Sequence, residues 1–133
     1  MELKNVIQKR RSIRKYRTDP VADEVVNNIL NQAVLYAPSA KNLQPRKFLI
    51  VTNDHLKREI VAFCKGNSFM ENAPVVIVAL ANEEECYQAN AGYMRTDLMD
   101  LSIAMTTIML AATDLGLWTC WIGAFEGEKM DQL

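Results

Sequence analysis

The chain is poor in residues that do chemistry unaided. Its 133 residues include one histidine, His55. A serine or cysteine nucleophile that works through imidazole needs histidine beside it. His55 stands in Asn53-Asp54-His55-Leu56-Lys57, which reads as the first turn of a helix and hence as surface. The three cysteines, Cys64, Cys86 and Cys120, are far apart, with neither a CxxC pair nor a zinc spacing. They read as reduced, mostly buried thiols, with a redox role as the alternative, and no metal site is expected. Glycine occurs only at 66, 92, 116, 123 and 127, so GxGxxG and GxxxxGK[ST] are both missing. HExxH and GxSxG are missing too. The longest apolar run, Val75 to Ala81, falls far short of the ~18 residues of a membrane span. The start, Met1 to Arg11, is charged and lacks an apolar signal core, so a soluble, cytoplasmic protein is expected. Neither sign of charge dominates: 15 basic and 16 acidic residues leave a net charge of -1. Such a balance gives no general pull toward nucleic acid or a membrane surface, and any anion site must be local. With so little acid–base or nucleophilic apparatus, chemistry falls to a bound cofactor.

What the chain does have is apolar patterning. Half its residues are hydrophobic, enough for one domain over 1–133 with a real core. Leu3, Val6 and Ile7 predict a short helix over 2–10. Val25, Ile29, Leu30, Ala33 and Ala37 mark one face of a helix over 22–36, which must end before Pro38. Phe48 to Val51 reads as a strand, 54–64 as a helix, and 74–81 as a strand apolar on both faces, hence central in a covered sheet. Residues 83–92 read as helix or loop. A long helix is expected over 94–115, with Leu98, Leu101, Met105, Ile108, Ala112 and Leu115 as its stripe. Ile103, Ala104, Leu110 and Ala111 lie off that stripe and are also apolar. Such a helix is buried nearly all round, by a subunit interface or by its own domain. Gly116 caps it, Leu117 to Gly123 reads as a third strand, and 127–133 begins another helix. Strands alternating with helices predict a three-layer α+β or α/β domain.

Three segments carry polar chemistry. In Arg10-Arg11-Ser12-Ile13-Arg14, extended backbone puts Ser12, Arg14 and Tyr16 on one side, and Arg10 can turn toward them. Two guanidinium forks and a hydroxyl suit a phosphate; a solvated basic patch is the plainer reading. The loop Ala37-Pro38-Ser39-Ala40-Lys41-Asn42-Leu43-Gln44-Pro45 offers neutral donors and acceptors suited to a polyol or a heterocycle edge. The segment Leu115 to Phe125 ends a strand at Gly123, where backbone can approach a flat ligand closely.

In this order, RRSIRKY, APSAKNLQPRKF and LGLWTCWIGAF resemble the nitroreductase family, and the similarity runs over the whole chain. APSAKNLQP is the most specific piece. The resemblance implies an α+β nitroreductase fold: a mostly antiparallel central sheet surrounded by helices, in a homodimer with two FMN molecules at the interface. Arg10, Ser12 and Arg11 would hold the phosphate, and Arg14 would face the pyrimidine edge of the flavin. Pro38, Ser39, Ala40 and Asn42 would approach from the other chain, with Gln44 nearby. Ile122, Gly123 and Ala124 would lie against the ring, and Asn67 would touch the ribityl or pyrimidine side. The implied activity is ping-pong reduction of nitroaromatic, quinone or similar acceptors by NADH or NADPH. Reductive dehalogenation in the same fold would need a lid for which 82–95 is too short. A non-catalytic flavin-binding or truncated dimerisation protein is the other class. The chain departs from the family's pattern in two places. It stops at Leu133, without the further strand and exchanged C-terminal arm that family members carry. Arg46 also stands where an aromatic residue commonly follows Gln-Pro.

Overall fold

A computed structural model describes residues 1–88, 92 and 94–130. Its elements follow the periodicity closely. Helix α1 spans Leu3–Lys9, α2 Asp23–Tyr36, α3 Asp54–Phe63, α4 Asp97–Asp114 and α5 Gly127–Met130; strands β1 and β2 span Arg46–Val51 and Val76–Ala81. Local chemistry explains the boundaries. Asn53 caps α3, its side-chain oxygen accepting the Leu56 N–H at 3.0 Å. Helix α2 ends at Ala37, before Pro38. Gly116, at φ 79°, turns the chain out of α4 while the Leu117 N–H reaches back to the Ala112 carbonyl at 2.8 Å.

The strands pair antiparallel, with Arg46 opposite Ala81 and Val51 opposite Val76. Side chains alternate across the sheet, so its two faces enter two different cores. Phe48, Val75 and Ile77 pack on a cluster of Val26, Ile29, Leu30 and Ala33 from α2 with Ala104, Ile108 and Ala112 from α4. Val51, Val76 and Val78 belong to the opposite cluster with Ile60, Val61, Cys64 and Met70. The result is three layers, with α2 and α4 on one side of the sheet and α3 on the other.

Two expectations need correction. Strand β2 is covered on both faces but is not central: among the described residues the sheet has two strands. Leu117 to Gly123 is not a strand, because its ladder is a single parallel bridge between Ser12 and Thr119. An apolar, β-prone run makes a strand only where a partner backbone runs alongside it. In α4 the inward face is Asp97, Asp100, Ala104, Ile108 and Ala112, whereas Leu98, Met99 and Ile103 are exposed. Two carboxylates and two alanines, not the large apolar residues, face the domain at the ends of this helix. Residues 83–88 form a turn, and the rest of the 83–92 segment, like 131–133 of the last helix, lies partly outside the described residues. The plainer expectations hold. His55 is exposed on α3 beside Glu59, and of the three free cysteines Cys64 and Cys86 are buried. No described helix is long and apolar enough to cross a membrane.

Candidate functional site

The basic segment leaves α1 at Arg10 and runs beside the chain that follows α4. The Ile13 N–H donates to the Thr119 carbonyl at 3.1 Å. Just beyond, the Tyr16 ring lies 6.1 Å from that of Phe69, and Ile122 packs into the same core cluster as Phe69. Asn67 stands two residues before Phe69, half-buried, its amide donating to the Lys65 carbonyl at 3.1 Å. One chain therefore gathers Arg10 to Arg14, Asn67 and Thr119 to Ala124.

The arginines have different duties. Arg11 folds back, its Nη1 donating to the carbonyls of Gln8 at 2.6 Å and Arg10 at 2.7 Å. It closes the end of α1, where orphan carbonyls need donors. Among the described residues the side chains of Arg10 and Arg14 have no hydrogen-bond or ion-pair partner, and Ser12 is exposed beside them. Two free guanidinium groups on extended backbone fit a phosphate and a polar ring edge. Gly123 and Ala124 are exposed, and a side chain built on Gly123 would meet nothing within 4 Å. That open ground suits a flat ligand lying on backbone. The donor set thus fits FMN. Among the described residues no cluster of carboxylates, cysteines and histidine could hold a metal.

The loop 38–44 is built differently and stands elsewhere. Ala40–Asn42 forms a 3-10 turn, and Lys41, Asn42 and Gln44 hold φ of 50°, 56° and 51°. Non-glycine residues rarely adopt this left-handed region, so the loop needs outside support. The Ser39 hydroxyl accepts the Gln44 N–H at 2.9 Å, and the Gln44 amide donates to Asn42 Oδ1 at 3.1 Å. Pro45, wholly buried, seats the loop's far end. The Ala40 N–H donates to Asp100 Oδ1 at 3.0 Å, near the start of α4. Helix α1 is instead tied to the far end of α4, where the Met1 ammonium meets Asp114. Along the helix axis those two carboxylates lie roughly 21 Å apart, at 1.5 Å per residue. Pro38, Ser39, Ala40, Asn42 and Gln44 thus form a second group, with no hydrogen bond among the described residues to the basic segment.

Sequence reasoning passed over Asp100. Asp100 had a signal: with Asp97 it puts two carboxylates three residues apart on an otherwise apolar helix. Both are buried. The Asp97 carboxylate takes Arg95 Nη2 at 2.6 Å and Nε at 3.2 Å, and this guanidinium holds it below the usual carboxylate range.

The described residues form an α+β domain with a free basic segment beside an exposed backbone platform, an arrangement that can hold a bound cofactor. The comparisons agree. The model of the nitroreductase family matches residues 7–67 and 63–133, and the chain belongs to that family. A nitroreductase family protein from Clostridium novyi NT superposes with a TM-score of 0.91 at 37% identity, over 99% of this chain and 75% of that one. A nitroreductase from Desulfovibrio desulfuricans, solved in complex with FMN, gives a TM-score of 0.81 at 30% identity, over 93% of this chain and 69% of that one. An NADH dehydrogenase from Thermus thermophilus is 42% identical over 85 residues, 64% of this chain. The chain spans only 41% of that relative's length.

Proposed function

We propose that the chain forms an FMN-dependent oxidoreductase that takes reducing equivalents from NADH or NADPH and passes them to nitroaromatic, quinone or similar acceptors. The observation that carries this reading is the pair of guanidinium groups, Arg10 and Arg14, without partners among the described residues, on a segment that pairs with the backbone at Thr119. Family membership and the FMN complex of the D. desulfuricans relative support it.

Bound flavin supplies hydride chemistry that needs no protein nucleophile. The protein's part is binding, orientation and charge. Arg10, with Ser12, holds the phosphate; Arg11 reaches it only by giving up its bonds at the end of α1. Arg14 stands toward the pyrimidine edge, where a fixed cation favours the negative charge of reduced flavin. Ile122, Gly123 and Ala124 would lie against the ring and offer it backbone N–H groups, and Asn67 would stand at the side of the site. The 38–44 group, so far from α1's anchor, serves the site of a second copy, and the exposed Leu98, Met99 and Ile103 face of α4 is where two copies meet. Reductant and acceptor then use the open cleft in turn.

The test is an absorbance spectrum of the purified chain, taken before and after anaerobic NADH and then NADPH. Flavin bands that bleach with either reductant are expected. A colourless protein that takes up no added FMN would overturn the reading.

A further inference from the structure

Arg46 and Asp100 bracket the 38–44 loop from below, and neither belongs to it. The Arg46 guanidinium donates through Nη2 to the carbonyls of Ala37 at 2.7 Å and Ala33 at 3.1 Å, and through Nη1 toward Pro38 at 3.4 Å and the Asp100 carbonyl at 3.5 Å. The carbonyls of Ala33 and Ala37 belong to the C-terminal end of α2, that of Pro38 begins the loop, and that of Asp100 lies in α4. Asp100, 4% exposed, holds the other side, its Oδ1 accepting the Ala40 N–H at 3.0 Å. Among the described residues its Oδ2 is buried without a partner. Burial holds the Arg46 guanidinium below its usual range, and the nearby Asp100 carboxylate offsets part of that pull. A cation and an anion placed under a backbone with three left-handed residues supply the fixed support that such a conformation demands.

We propose that Arg46 and Asp100 act as two positioning residues that together preset the 38–44 loop, and with it Ser39, Ala40 and Asn42, in the geometry that receives the flavin. This deepens the flavin reading and rests on it. In Arg46 the residue that follows Gln44-Pro45 is a charged support. It satisfies several carbonyls at once.

The test is amide deuterium exchange on the full chain, read on the 38–44 peptide and on an α3 peptide as internal reference, with FMN affinity measured on the same variants. Asp100→Ala and Arg46→Met are each expected to speed exchange in 38–44 by about tenfold, the loss of one anchoring hydrogen bond, without moving α3. Asp100→Asn keeps an acceptor for Ala40 and is expected to restore most of the protection. Unchanged exchange in 38–44, or equal acceleration in α3, would overturn the proposal. So would a wild-type chain that binds FMN and variants that bind it equally well. If the wild-type chain takes up no flavin, the flavin reading falls by itself and the exchange data still decide whether the pair sets the loop. Should Asp100→Ala fail to fold, Arg46→Met decides alone.

Discussion

The Tyr16 hydroxyl is held in a titration range that free tyrosine never reaches. Burial first, and the Cys120 thiol second, push its pKa up to about 12, while Arg14 pulls the other way. A raised tyrosine pKa means that the folded state prefers the neutral phenol. Its contribution to stability is complete below the unfolded value near 10 and is lost as pH rises toward 12. The ultraviolet titration of tyrosinate should therefore show a late component that Tyr16→Phe removes. Arg10 supports a sharper expectation, since among the described residues its side chain has no hydrogen-bond or ion-pair partner. Arg10→Ala should weaken FMN binding by about 10- to 100-fold, the cost of one or two charge-assisted hydrogen bonds, with the circular dichroism spectrum unchanged. Equal flavin titrations of the two proteins would remove Arg10 from the phosphate site. At this scale the sequence was a partial guide. Guanidinium groups can be counted in a sequence, but which of them is free depends on the fold: Arg11 spends itself on α1, and Arg46 on α2.

The elements themselves were largely legible, because burial writes a period into them. Helix α2 stands within a residue of its expected ends, and β2 shows apolar residues on both faces because two cores meet there. The 117–123 segment was misread for the complementary reason: propensity belongs to the segment, but a ladder belongs to a pair. Helix α4 shows a third case. Leu98, Met99 and Ile103 point outward, while its inner face joins Ile108 to the small Ala104 and Ala112. Ala104, fully buried against α2, marks the closest approach. Ala104→Leu should lower stability by about 1–3 kcal/mol through overpacking, seen as a shift of the urea midpoint. A neutral outcome would mean that α2 and α4 are less tightly fitted than they stand here.

Taken whole, the molecule exposes more surface than its mass warrants. It presents 8745 Å², where a folded monomer of 15.1 kDa is expected to present about 7,100 Å². The excess includes Leu98, Met99 and Ile103 on α4 and Leu3 and Ile7 on α1. This apolar surface is the face on which the proposed second copy would sit. Sedimentation should give a dimer at micromolar concentration, and Leu98→Glu with Ile103→Glu should shift it to monomer, because each charge would be buried without a partner. A wild-type monomer would leave the 38–44 loop without a second site to serve.

The left-handed backbone of that loop has a consequence for anyone who would improve the protein by selection. Replacing Lys41 by glycine would relieve its φ of 50° but remove the ammonium stacked 4.4 Å from the centre of the Tyr87 ring. The relief of backbone strain and the forfeited cation–π attraction are each worth about 1 kcal/mol, so Lys41→Gly should leave the melting temperature nearly unmoved and reduce turnover. A screen scored on heat tolerance is blind to such a change. Variants would drift toward a slacker loop while every thermal assay reported success, and the damage would surface only when the reaction itself was timed.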